Sequence, residues 1–92
     1  MNKYSVKPLP SDIQSALAER FRKLRKAEGY SQTEMAQRSG VSLGSLKRFE
    51  LTGQISLESL LKLAYLLDRL DDFMKVFEPS VDMKRIEKLF NS

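Results

Sequence analysis

Apolar side chains recur at helical spacing along most of the chain, and this pattern predicts short helices joined by tight turns. The first apolar stripe, on a helix from about residue 12 to 28, consists of Ile13, Leu17, Phe21 and Leu24. Ser11 to Gln14 have the pattern of a capping box, which satisfies free backbone N–H groups at a helix start. Gly29 is expected to end this helix. Residues 1–10 contain two prolines and no helical period, so we expect an irregular arm there.

The middle of the chain predicts two short helices with a turn between them. Residues 31–34 (SQTE) form a second capping-box pattern, followed by a helix that runs to about Arg38. Residues 39–41 are expected to form a tight turn around a central glycine. Ser42 can cap a third helix over about residues 43–50.

Loop residues 51–54 lead to a fourth helix, capped by Ser56, that is apolar around much of its circumference. Its apolar positions are Leu57, Leu60, Leu61, Leu63, Ala64, Leu66 and Leu67. Such a helix is expected in the middle of a bundle or at a subunit interface. A fifth short helix, ended by Pro79, is predicted from Leu70, Phe73, Met74 and Phe77. A last short helix would follow Ser80, with Met83, Ile86, Leu89 and Phe90 on one side.

These elements predict an all-α fold, a compact bundle of five or six short helices. The helical domain is predicted to span residues 11–78, with the arm of residues 1–10 before it and a helical tail of residues 79–92 behind it. The apolar side of the tail would either pack on the bundle or serve as a docking element for a dimer or a partner. Its place behind a proline at the end of the chain favours docking.

Composition excludes several classes of site. The 92 residues fit one domain, and they include neither cysteine nor histidine. This excludes zinc fingers, cysteine or histidine nucleophiles and imidazole general bases. No pair of carboxylate or lysine residues is placed for catalysis, so we expect no enzyme, no cofactor and no metal. No apolar stretch is long enough for a membrane span, and the lack of cysteine fits a reducing cytoplasm, where we expect the protein to reside.

Positive charge is concentrated in the first third of the chain. Residues 1–30 carry seven Lys and Arg against three acids, a net charge of +4, whereas residues 56–79 have three against five, a net charge of −2. This asymmetry favours a polyanion as the partner of the basic part. A basic surface that serves only solubility is the alternative.

The stretch from residue 32 to 50 (QTEMAQRSGVSLGSLKRFE) meets the steric requirements of a helix-turn-helix, two short helices joined by a turn of about four residues. Ala36 is small at the expected crossing of the two helices, and Gly40 lies where the turn needs positive φ. Val41 and Leu46 are apolar where they would fill the crevice between the helices. We therefore expect the core to contain Met35, Val41, Leu46 and Phe49.

The charged residues around this motif are expected to have different roles. Glu50 is predicted to pair with a basic residue of the first helix, and a solvated glutamate is the alternative. Of the basic cluster in that helix, about half is expected to lie on a solvated face. This cluster consists of Arg22, Lys23, Arg25 and Lys26.

A longer series of residues carries a family resemblance. It consists of Leu24-Arg25, Gly29, Ser31-Gln32, Glu34-Met35-Ala36, Gly40-Val41-Ser42, Leu46, Phe49-Glu50, Gly53 and Ser56-Leu57-Leu60-Leu63-Ala64. From about residue 13 to 67 the chain resembles the lambda-repressor-like (XRE-type) helix-turn-helix family. The resemblance implies about five helices, the third of which lies in the major groove of double-stranded DNA. It also implies a homodimer on a pseudo-palindromic operator, with half-sites ~34 Å apart.

The same resemblance implies which residues contact DNA. Gln32 opens the second helix and implies a phosphate contact, which a helix N-terminus favours. The third helix would present Ser42, Leu43, Gly44, Ser45, Lys47 and Arg48. Arg48 is the best candidate for base readout, because its planar fork matches guanine O6 and N7. Ser45 and Lys47 are assigned to phosphates, and Ser42 to both capping and contact.

Leu43 and Gly44 depart from the family pattern, in which long polar residues often occupy these two positions. Leu43 could contact a thymine methyl, and Gly44 could let the backbone approach the DNA. Base readout would then be sparse, with more weight on the shape and deformability of the duplex.

The sequence therefore predicts a DNA-binding repressor that acts as a dimer. The chain also resembles antitoxin-type regulators at residues 47–50, Gly53, residues 55–60 and residues 70–73 (LDDF), which implies a HipA-like kinase toxin as a possible partner. The alternative is a helical protein–protein adaptor that keeps the bundle without binding DNA, which Leu43 and Gly44 favour and the basic first half opposes.

Overall fold

The structure of the protein is a computed structural model that describes residues 7–79, and this part of the chain is all-helical. Its elements are α1 (Pro10–Ala27), α2 (Gln32–Ser39), α3 (Leu43–Thr52), α4 (Leu57–Leu66) and a 3-10 turn (Leu70–Phe73). The predictions for residues 1–6 and for a helix behind Ser80 lie outside this range. No helix within it is both long and apolar enough to cross a membrane.

Helix α1 begins at Pro10, two residues earlier than predicted, and the N-cap is Leu9 rather than Ser11. The cause is the proline, whose fixed φ suits the first helical position and whose missing N–H needs no acceptor there. The Asp12 carboxylate accepts a hydrogen bond from the Leu9 backbone N–H at 2.8 Å. The predicted Ser11–Gln14 capping box is therefore wrong, and Asp12 takes its place.

The three serine caps predicted for the later helices are confirmed. The hydroxyls of Ser31, Ser42 and Ser56 each accept the backbone N–H three residues on, at 3.0–3.1 Å. Helices α2 and α3 both end in a glycine with left-handed φ, Gly40 at 81° and Gly53 at 80°. Helix α3 extends to Thr52, so the first half of the predicted loop 51–54 is helical.

The expectation of five or six helices is wrong for residues 7–79, which form four α-helices and one 3-10 turn. The predicted fifth helix is reduced to Leu70–Phe73, because Met74 and Phe77, which were to form its apolar side, remain 77% and 99% exposed. An isolated helix of two turns is unstable in water without a packed face. Phe77 itself has a φ of 60°, which a helix does not contain.

The core lies where α3 meets α1 and α2, and α4 packs against α2 and contributes Leu63 to the same core. Met35, Leu46, Phe49 and Leu63 are at most 1% exposed. The Phe49 ring lies 5.5 Å from that of Phe21, at a tilted angle that favours aromatic pairs. The predicted core positions Met35, Val41, Leu46 and Phe49 are all confirmed, whereas Ile13 at the start of the α1 stripe is 47% exposed.

Gly53 allows a close approach between the end of α3 and the first turns of α1. A Cβ at this position would lie 2.9 Å from the carbonyl carbon and the Cβ of Gln14. Glycine therefore serves both the left-handed turn and this contact. The contact holds α3 at a defined place relative to α1.

Candidate nucleic-acid interface

Helix α3 has one buried and one open side. Leu46 and Phe49 point into the core, whereas Ser42, Gly44, Ser45, Lys47 and Arg48 are exposed. Leu43 was also predicted to face DNA, but it is half-buried and packs against the core. The open side of α3 therefore carries two cationic side chains, two hydroxyls and, at Gly44, backbone that no side chain covers.

Nothing in the fold requires glycine at position 44. Its φ is not left-handed, and a Cβ built there has no heavy atom within 4 Å. Glycine inside a helix is less stable than alanine by about 0.8–1.0 kcal/mol, a smaller effect near a terminus. Packing inside the described chain thus does not explain why position 44 is glycine. A ligand that closely approaches the backbone on the open side of α3 would explain it.

Gln32 is the first residue of α2, and its amide is held by α3. It is half-buried, and its Nε2 donates a hydrogen bond to Glu50 Oε1 at 3.1 Å. The start of α2 therefore lies beside the open side of α3. The second amide N–H of Gln32 is free to face a ligand, because a primary amide carries two donors.

Glu50 forms a buried ion pair with Arg25 of α1, which confirms its predicted pairing with the first helix. Arg25 donates from Nε and Nη2 to the two carboxylate oxygens of Glu50, at 2.7 and 3.0 Å. Its Nη1 donates to the carbonyl oxygen of Tyr30 at 2.7 Å. The two side chains are only 7% and 6% exposed, so this pair ties α1, α2 and α3 together from the inside.

Arg25 is buried, which the sequence did not predict for it in particular, since only about half of its basic cluster was expected to lie on a solvated face. A signal was present, because Arg25 follows Phe21 by four residues and Ala18 by seven and so belongs to the buried stripe. Within the same cluster, Lys23 pairs with Glu19 at 3.2 Å on the surface.

Arg48 does not extend freely from α3. Its Nη2 donates to Gln54 Oε1, in the loop before α4, at 2.5 Å. The Thr52 hydroxyl accepts from the Gln54 backbone N–H at 3.1 Å and so fixes the loop that carries this partner. Gln54 was not among the predicted site residues, and nothing in the sequence spacing would have indicated it.

An open cleft of about 540 Å³ separates α1 from α3 at the start of α2. Its lining residues are Arg22, Arg25, Ser31, Gln32, Lys47, Glu50 and Leu51. It brings together two of the predicted contacts, Gln32 and Lys47. Ser45 and Arg48 instead line a second depression with Gln54, at the other end of the open side.

The arrangement has the chemistry of an anion-binding surface. Within residues 7–79 no group of three or more acidic side chains is placed to hold a metal ion. Arg22, Lys47 and Arg48 form no ion pair with an acid in that range, whereas Lys23, Arg38 and Lys62 each pair with a glutamate on their own helix. The surface around α3 thus keeps its positive charge uncompensated.

Comparison with known proteins gives one match. A family model described as Helix-turn-helix (HTH_3) matches residues 21–72, which is more than half of the chain. The match includes the second half of α1, all of α2, α3 and α4, and most of the 3-10 turn. No curated protein and no solved structure matches the chain.

Proposed function

The chain belongs to the helix-turn-helix family of XRE type, whose domain binds DNA, and from this premise we propose a sequence-specific repressor that acts as a dimer on a pseudo-palindromic operator. Proteins with this domain are typically regulators without enzymatic activity. Repression would follow from occupancy, since a protein bound at an operator excludes other proteins from the same DNA.

The observation that carries the proposal is the open side of α3 with its uncompensated cations. An α-helix with its side chains is about 10–12 Å across, which matches the ~12 Å width of the major groove. The α3 side chains of Lys47 and Arg48 are exposed and form no ion pair within residues 7–79. Phosphate contacts would supply the salt-sensitive part of the affinity, and α3 the selectivity.

The residues of the site divide into two groups in this proposal. Gln32, Ser42, Ser45 and Lys47 would contact phosphates and set the register of the protein on the duplex. Arg48 would contact guanine, with Gln54 holding its guanidinium in place beforehand. Gly44 would let the backbone of α3 come close to the bases, and the exposed part of Leu43 could contact a thymine methyl. Such sparse readout gives weight to the shape of the duplex.

Titration of the full chain against a random-sequence duplex tests the proposal most directly. We expect binding with a dissociation constant of about 10⁻⁴–10⁻⁶ M that weakens steeply as salt is raised. If the protein is an adaptor instead, it should show no salt-sensitive binding to the duplex. Absence of salt-sensitive binding at low salt would therefore refute the proposed function.

Arg48→Ala is expected to weaken binding to the selected operator by about 1–3 kcal/mol and to relax the preference at one base pair. Arg48→Lys is the matched variant, because it keeps the positive charge and loses the planar fork. It should retain the salt dependence and weaken the base preference less than Arg48→Ala does, because a lysine can still contact guanine without the planar fork. Selection of operator sequences with wild type and both variants measures this. An unchanged preference in Arg48→Ala would mean that Arg48 reads no base.

The dimer is part of the proposal because one α3 can reach only one half-site. Two half-sites about 34 Å apart would face one side of the duplex and so bind both copies of a two-fold dimer. Duplexes that carry one or two half-sites should therefore differ in affinity. The antitoxin role and the HipA-like toxin partner stay a prediction from the resemblance, which a kinase-like toxin in the neighbouring reading frame would support.

A further inference from the structure

We propose that Arg22 of α1 is a DNA-contacting residue, which holds one backbone phosphate together with Lys47 of α3 and Gln32 of α2 in the cleft between the helices. This inference rests on the proposed function and adds a third helix to the interface. Sequence reasoning assigned Arg22 no role beyond a basic cluster, and the open side of α3 does not include it.

The cleft supplies the geometry. Arg22, Lys47 and Gln32 line the same open space of about 540 Å³, although they come from three different helices. The space is open to solvent, so a phosphate on a rigid duplex can enter it from outside. A phosphate oxygen would meet two cations and one amide donor, a set that suits a singly charged phosphodiester.

Neither Arg22 nor Lys47 forms an ion pair with an acid in the described helices, so both positive charges remain available to a ligand. The positions four residues away from Arg22 are Ala18 and Lys26, and Glu19 pairs with Lys23 instead. Around Lys47 the corresponding positions are Leu43 and Leu51, and Glu50, three residues on, pairs with Arg25 instead. Arg38 and Lys62, by contrast, each pair with a glutamate four residues earlier on the same helix.

Glu50 is the acid of the cleft, and Arg25 cancels it. Both of its carboxylate oxygens accept hydrogen bonds from Arg25, and Oε1 accepts another from Gln32. The Arg25–Glu50 pair in the cleft is therefore neutral overall. The net positive charge of the cleft comes from Arg22 and Lys47. The same carboxylate orients the Gln32 amide, which leaves one N–H for a phosphate oxygen.

Arg20 provides a matched control on the same helix. At about 100° per residue, Arg20 and Arg22 lie roughly 200° apart around α1, on opposite sides of the buried stripe. Arg20 is exposed and does not line the cleft. Replacing either arginine with alanine removes one positive charge, so the two variants differ in position alone.

The experiment measures the affinity of the full chain for a random-sequence duplex over a range of salt concentrations. We expect Arg22→Ala to reduce the slope of log K against log salt by about one and Arg20→Ala to leave it unchanged. Arg22→Lys should restore the slope, since a point charge suffices for a phosphate. Midpoints of urea unfolding check that the variants stay folded. Equal losses in Arg22→Ala and Arg20→Ala would overturn the inference, because they would show general attraction only.

A double variant tests whether Arg22 and Lys47 share one phosphate. If they do, the affinity loss of Arg22→Ala with Lys47→Ala is smaller than the product of the two single losses. A loss equal to that product would contradict the shared phosphate. Absence of duplex binding by the wild type would refute the proposed function itself, whereas an unaffected Arg22→Ala alongside wild-type binding would refute this inference alone.

Inorganic phosphate distinguishes a duplex phosphate from a free anion in the cleft. At constant ionic strength, millimolar phosphate should reduce duplex binding of the wild type at least as much as that of Arg22→Ala, because it competes with the duplex for the cleft. Selective inhibition of the wild type would show that phosphate and duplex compete for the same place at Arg22 and would support the contact, whereas tight phosphate binding that Arg22→Ala abolishes and that leaves duplex binding unchanged would assign the cleft to a free anion and overturn it.

Discussion

Replacing Glu50 with alanine is expected to lower the free energy of unfolding by about 3–5 kcal/mol. The variant leaves the Arg25 guanidinium buried with only the Tyr30 carbonyl oxygen as a partner, because Glu50 accepts two of its hydrogen bonds. The wild-type pair gains less net stability than this figure suggests, since burying both charges is itself costly. The large effect comes from removing one partner alone. Urea unfolding measures it.

Glu19→Ala is the control for this prediction. It breaks the pair with Lys23, whose side chains are 69% and 76% exposed, and should cost less than about 0.5 kcal/mol. Glu50→Gln keeps the shape of the side chain and removes the charge, so it should lie between wild type and Glu50→Ala. A Glu50→Ala variant as stable as Glu19→Ala would show that the pair is solvated in solution.

Phe49→Ala is expected to destabilise the protein by a similar amount, about 3–5 kcal/mol. Phe49 is 1% exposed and contacts the Phe21 ring at the junction of α1 and α3, so its removal leaves a cavity. The free energy of unfolding of a native protein is about 5–15 kcal/mol, so this loss would be a large fraction of it. Phe49→Leu fills part of the cavity and gives a smaller, measurable loss even if the alanine variant does not fold.

Phe77→Ala makes the same chemical change at a side chain that is 99% exposed. Its expected effect on the unfolding free energy is within about 0.5 kcal/mol. Similar losses in Phe49→Ala and Phe77→Ala would contradict the placement of α3 against α1. That placement decides which side of α3 is open, so the result also bears on the DNA interface.

Sequence patterns were sufficient wherever a feature depends on residues within one turn of each other. The serine caps of α2, α3 and α4 follow from a hydroxyl three residues before a free N–H, and Gly40 and Gly53 from the need for positive φ. The apolar positions of the helix-turn-helix also predicted its core, because helical spacing and side-chain size indicate which side of each helix is buried. The exposure of Lys47 and Arg48 followed from the same periodicity.

Features that depend on distant residues required the tertiary structure. The pairing of Glu50 with the first helix was predicted, but only the structure identified Arg25, 25 residues away, as its buried partner. The predicted fifth helix stops at Phe73 because Met74 and Phe77, the second half of its apolar side, remain exposed. Helical spacing reports what a segment could bury, whereas burial requires an opposing surface.

The sequence by itself determined that this protein is a small helical domain of helix-turn-helix type with a basic α3, because caps, turns and periodicity are local. Only the tertiary structure decided that Arg22 and Lys47 share a cleft and that Gln54 holds Arg48. Such neighbours are set by the angles at which helices cross, and those angles result from the packing of the whole core rather than from any short stretch of residues.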